Sequence, residues 1–165
     1  MSWDESLGIY LNDHLAGATT GMELAEKLCT ANPDGQLGAD LSSLVSEIRT
    51  DRVTLEGLME SLGVGQSTVK QVAGWGAEKL SRLKLSTRLT GNPDLTRMLE
   101  METLSLGIEG KLAMWQALKG IDGLDTELGR ADFDRLIFRA RQQREVLEPY
   151  RLEAAVEAFT APPDG

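Results

Sequence analysis

The sequence predicts an all-α protein, an antiparallel four-helix bundle with one additional helix. Three observations predict it. Apolar residues recur at three- and four-residue spacing through five long stretches. Leu dominates the apolar residues while aromatics make up only 5% of the chain, a balance that suits helices better than strands. The stretches are joined mostly by short links with turn residues, so successive helices should run back against one another. At 165 residues the chain has the length of one domain; residues 1–165 are expected to form it, with 160–165 a frayed tail.

Composition narrows the function classes. A hydrophobic share of 41% and a charged share of 26% are ordinary for a globular protein. No run approaches the ~20 apolar residues of a membrane span. The start, MSWDESLGIY, lacks the basic n-region and apolar core of a signal peptide. One cysteine, Cys29, can form neither an internal disulfide nor a multi-cysteine metal site. The net charge of −9 argues against nucleic acid, whose phosphates select basic faces. The expectation is a cytoplasmic protein with neither nucleic-acid nor membrane partners.

The first helix is expected from about Ser6 to Ala31, with Leu7, Leu11, Leu15, Ala18, Met22, Ala25 and Leu28 on its apolar side. Gly8, Gly17 and Gly21 each weaken it by about 1 kcal/mol relative to Ala, which predicts that another backbone comes close there. His14 lies at the border of the apolar face. Asn32-Pro33-Asp34-Gly35 is a turn, because Pro presets its backbone angle and Gly tolerates positive φ. The second helix carries Leu41, Leu44, Ile48, Leu55, Leu58 and Leu62 in three-four alternation, and Asp51 alone breaks the apolar series. Arg52, another basic residue, or His14 across the turn is its expected partner.

Gly63-Val64-Gly65 should end that helix, and a third is expected over about Thr68 to Leu89. GVGQSTVK has no phosphate-loop spacing and no preceding strand, so a nucleotide site is rejected. Lys79, Arg82, Lys84 and Arg88 make this the one basic stretch. Asn92 and Pro93 open the central helix, as cap and first-turn residue. Over Leu95 to Leu118 its apolar side chains cover roughly 220° of the wheel, about twice the stripe of a surface helix. Glu102, Ser105, Glu109 and Gln116 are expected inside that arc beside Leu95, Met98, Leu99, Leu106 and Leu112, with Glu100, Thr103 and Lys111 outside it. The last helix is expected over about Asp132 to Phe159, buried through Phe133, Leu136, Ile137, Ala140, Leu147, Tyr150 and Ala154 and kinked before Pro149. Counting from the connecting loop sets Arg141 or Arg144 against Glu109.

Tyr10 to Gly17, the segment Ile48-Arg49-Thr50-Asp51-Arg52 and the segment Glu102 to Lys111 resemble a group of uncharacterised bacterial helical proteins, over most of the chain. More distantly, the architecture is similar to the ferritin-like superfamily. There, four helices hold two metal ions through a Glu on each of two helices and Glu-x-x-His on each of the others. This chain departs from that pattern. Its one histidine has no Glu three residues before it, Glu47 is followed by Thr50, and Glu145 by Glu148.

Two carboxylates facing a core must be paired, hydrogen-bonded, metal-bound or protonated. The expected function is therefore non-catalytic, a structural or interaction bundle with a buried polar network. The alternative is a degenerate ferritin-like protein binding Mg²⁺, Mn²⁺ or iron through His14, Asp51, Glu102 and Glu109. Otherwise no cofactor and no catalytic set is expected. The first-helix glycines and an exposed Met114 leave room for a homodimer, and any protein partner is unspecified.

Overall fold

The computed structural model describes residues 5–66, 91–124 and 132–160. Four helices account for most of them: α1 (Glu5–Ala31), α2 (Gly35–Ser61), α3 (Pro93–Lys119) and α4 (Phe133–Thr160). They form the expected all-α bundle. The additional helix expected over 68–89, with its basic stretch, lies outside the described residues, as does the 161–165 part of the tail.

The local signals at the helix ends act as the sequence implies. Asn92 accepts from the backbone N–H of Asp94 and Leu95 at 3.0 and 3.1 Å, satisfying two donors at the start of α3. At the α1–α2 turn Gly35 takes a φ of +65°, and a Cβ on Gly38 would stand 2.5 Å from the Pro33 carbonyl. Only glycine lets the first turn of α2 fold down onto that proline. Gly63, at φ +67°, ends α2, and Val64 N–H then reaches the Met59 carbonyl. Pro149 sits inside α4, which continues as one helix to Thr160.

Cross-helix contacts fix the directions. Arg49 meets Glu26 and Asn12 bonds the Gly65 carbonyl, so α2 runs back along α1. Lys27 meets Glu100, placing the start of α3 beside the end of α1. From there α3 descends, and α4 returns along it through Lys119–Asp134, Arg144–Glu109, Arg151–Glu102 and Arg97–Glu157. Gly65 and Gly91 therefore lie at opposite ends of the bundle, and α2 and α3 point the same way. α3 packs most extensively on α4, α1 packs on both α2 and α3, and α2 meets α4 in few places. α2 and α3 are thus diagonal.

Most of the core expected for α1, α2 and α4 is buried, with Leu7, Ala18, Met22, Leu62 and Tyr150 only half-buried and Leu24 and Met59 added to it. Leu11, Leu15, Leu28, Leu41, Leu44, Ile48, Leu55, Leu58, Leu136, Leu147 and Ala154 are all buried. On α3 the expected face is wrong by roughly a quarter turn. Met98, Met101, Leu104, Ile108, Leu112, Trp115 and Leu118 are buried, while Leu106 is 55% exposed. Glu102 and Glu109, expected inside, keep close to half of their side-chain surface in solvent. Gln116 is exposed and Ser105 half-buried. Glu100, expected outside, is buried, and Lys111 is largely covered. An apolar arc this wide lets either edge turn to solvent. The choice falls to neighbours that supply Lys27 for Glu100 and Asp51 for Lys111.

Two further expectations fail. Met114 is 1% exposed, a core residue rather than a surface one. A Cβ built on Gly17 or Gly21 meets nothing within 4 Å, so no second backbone approaches them. The exposed Met114 behind the homodimer expectation is thus lost, while the room beside Gly17 and Gly21 remains. No helix among the described residues is long and apolar enough to cross a membrane.

Candidate functional site

A polar network crosses the bundle at the level of Asp51. α2 is otherwise apolar on that face, which carries the Asp51 side chain into the centre, where 2% of it is exposed. One carboxylate oxygen accepts from Lys111 Nζ at 2.6 Å and from Gln143 Nε2 at 3.0 Å, and the other accepts from Arg139. Gln143, also buried, accepts from Lys111 at 2.5 Å through its Oε1 and gives a second hydrogen bond to Glu47 at 3.0 Å. One anion is thereby held by cations from α3 and α4, and α2 is tied to its diagonal neighbour. Burial pushes the Lys111 ammonium below the usual lysine range, and Arg139 adds to this, while Asp51 and Glu47 pull the other way.

Of the expected partners of Asp51, another basic residue is the observed one, supplied twice as Lys111 and Arg139, while Arg52 and His14 are engaged elsewhere. Arg52 turns along its own helix to Glu56 at 3.2 Å. His14 instead packs edge-on against Tyr10, with ring centroids 4.6 Å apart. Burial pushes the His14 pKa below the ordinary value, against an opposing pull from Asp13, so the ring is neutral at pH 7. Glu109 is paired with Arg144, one of the two expected arginines, but at the surface. Glu102 lies 3.4 Å from Arg151. The four metal-ligand candidates are therefore spread over three helices, three of them paired with cations. Among the described residues no group of three or more His, Cys, Asp or Glu is placed to hold a metal ion.

Beside the network lies a cavity of about 380 Å³, bounded by α1, α2 and α3. Its wall is mostly apolar, with Leu24, Ile48, Leu55, Leu104, Ile108 and Trp115 contributing. Asp51 and Lys111 form part of it, and so does His14. Four helix-interior glycines also line it, Gly17 and Gly21 on α1 and Gly107 and Gly110 on α3. None has a positive φ, and a Cβ added at any of them meets nothing within 4 Å. Gly107 is exposed and the other three are half-buried; Gly57 on α2, also exposed and with similar room, does not line the cavity. The size falls at the lower end of small-molecule pockets, which are concave and mostly apolar with a few polar groups.

The pieces of this site are visible in the sequence, but nothing there joins them. The α1 glycines stand out as a cost, and Asp51 as an interruption of an apolar series. Gly107 and Gly110 sit at three-residue spacing on α3, a signal that pairs with Gly17 and Gly21 only once α1 and α3 are known to be neighbours. Lys111 and Arg139 carry no signal beyond their charge.

No protein-family model, curated protein or solved structure matches this chain. The similarity to uncharacterised bacterial helical proteins is accordingly carried by no match, and the four-helix architecture is what stands.

Proposed function

We propose that the protein is a non-catalytic binding bundle that takes a small, chiefly apolar molecule into the α1–α2–α3 cavity. The Asp51 network holds the helices in register beside it. The observation that carries this reading is the set of four glycines around one cavity. Each glycine inside a helix costs about 1 kcal/mol relative to Ala. Neither positive φ nor a close neighbour requires glycine at these places. What the missing side chains provide is space next to an apolar wall, which is the property that a binding site selects against stability. The test is titration with an environment-sensitive apolar fluorophore, in the parent and in Gly107→Leu. The parent should bind with a saturable signal, and Gly107→Leu should lose it while melting no lower than about a degree beneath the parent. Equal binding by both proteins would remove the cavity as the site.

The metal-binding alternative has one observation in its favour. Two antiparallel helix pairs joined across the length of the bundle by a single long connection is the connectivity of ferritin-like folds. Against it stands the pairing of Asp51, Glu102 and Glu109 with Lys or Arg, since a cation must displace those partners to reach the carboxylates. Elemental analysis of tag-free protein, with melting in chelator and in added Mn²⁺, separates the readings. Stoichiometric metal and ion-dependent stabilisation would favour the alternative.

A further inference from the structure

We propose that the molecule taken by the cavity is uncharged, with an apolar body and one hydrogen-bond-accepting end, such as a ketone or an alcohol, set against Lys111. This rests on the cavity being a binding site and adds the chemistry of its ligand.

Charge balance argues for neutrality. Asp51 and Glu47 are answered by Lys111 and Arg139 within one hydrogen-bonded cluster, two anions against two cations. The other ionisable groups along the wall do not alter this. Asp13 is exposed, Arg52 is committed to Glu56, and His14 is uncharged at pH 7. An ionic ligand would enter an apolar space with no spare counter-charge, and burying an uncompensated charge is far costlier than burying a hydrogen-bonded neutral group.

The accepting end follows from the donors left over. A lysine ammonium has three protons. Among the described residues two of those on Lys111 are used, on Asp51 and on Gln143. Asp51 and Lys111 both line the cavity whereas Gln143 and Arg139 do not, so of the four network residues Lys111 is the cation beside the empty space. The third proton is one donor on that side of the wall. Trp115, also in the lining, carries a buried indole N–H with no hydrogen-bond partner among the described residues, a second donor that again favours a ligand acceptor. Asp51 already accepts three hydrogen bonds, leaving a ligand acceptor better matched than a ligand donor.

A matched series decides it: an alkane, a ketone, a primary alcohol, a carboxylate and an ammonium of equal chain length, each competing at pH 7 with the bound fluorophore. The ketone and the alcohol should displace it at concentrations about tenfold lower than the carboxylate, the ammonium or the alkane. In Lys111→Met the ketone should fall to the level of the alkane. A carboxylate or an ammonium equal to the ketone in the parent overturns neutrality. An alkane equal to the ketone there overturns the polar contact, and so does a ketone advantage that survives in Lys111→Met. If Lys111→Met does not fold, the order of the five ligands in the parent is sufficient by itself. Failure of the fluorophore itself to bind would instead overturn the site, before ligand chemistry is asked about.

Discussion

At the scale of the residue, Asp51 is a buried carboxylate on which three side chains from α3 and α4 converge. Its carboxylate is buried and shared by Lys111, Arg139 and Gln143, so Asp51→Ala would leave two cations without their anion. Breaking a buried pair in this way typically costs about 3–5 kcal/mol, to be measured by urea denaturation. Glu109 gives the opposite expectation. Its bond to Arg144 is at the surface, so Glu109→Ala should cost under ~1 kcal/mol, and a loss above that would contradict the exposed geometry. His14 adds a pH dependence. Because burial lowers its pKa in the folded state, the unfolded chain takes up the proton first as pH falls through 6.5. Stability should therefore drop below pH 6.5, and the drop should be smaller in His14→Asn, compared by denaturation at pH 7.5 and at pH 5.5. Asp51 is legible in the sequence because it interrupts an unbroken apolar series. Its partners are not, since one helix's wheel says nothing about a lysine 60 residues further along.

At the scale of the element, α2 and α3 show where periodicity suffices and where it does not. α2 has a narrow apolar stripe, and every expected core position from Leu41 to Leu58 is buried. Leu55→Ala should accordingly cost about 2–5 kcal/mol as a cavity-forming truncation, read from the same denaturation curves. α3 has apolar side chains around most of its circumference, so its sequence leaves the rotation open, and contacts from α1, α2 and α4 decide it. The glycines obey element-scale energetics too. Gly17→Ala and Gly107→Ala each add a methyl group where nothing stands within 4 Å, in helices that gain about 1 kcal/mol from the exchange. Both variants should melt above the parent. A destabilised Gly107→Ala would show that another group occupies that space in solution.

At the scale of the whole molecule, direction and adjacency decide what the separate helices cannot. A short link makes the α1–α2 pairing legible, and counting across the longer 120–132 connection the α3–α4 one, whereas the placement of one pair on the other depends on contacts between residues far apart in sequence. The two pairs are not equally joined. α1 packs on α3, but α2 touches α4 in few places and reaches its diagonal neighbour α3 through the Asp51–Lys111 bond. α2 is therefore held by α1, by a thin seam with α4 that includes Tyr150–Asp40, and by the buried network. Asp51→Ala should loosen the bundle unevenly as a result. Native-state hydrogen exchange on that variant should show α2 amides losing protection by more than those of α3 and α4, which pack extensively on each other and meet Asp51 only through Lys111, Arg139 and Gln143. A uniform loss across all four helices would mean that α2 opens only when everything does, and that the network sets total stability without any particular hold on α2. The cavity lies against this same helix, so a ligand bound there should restore α2 protection in the variant before it affects the α3–α4 pair.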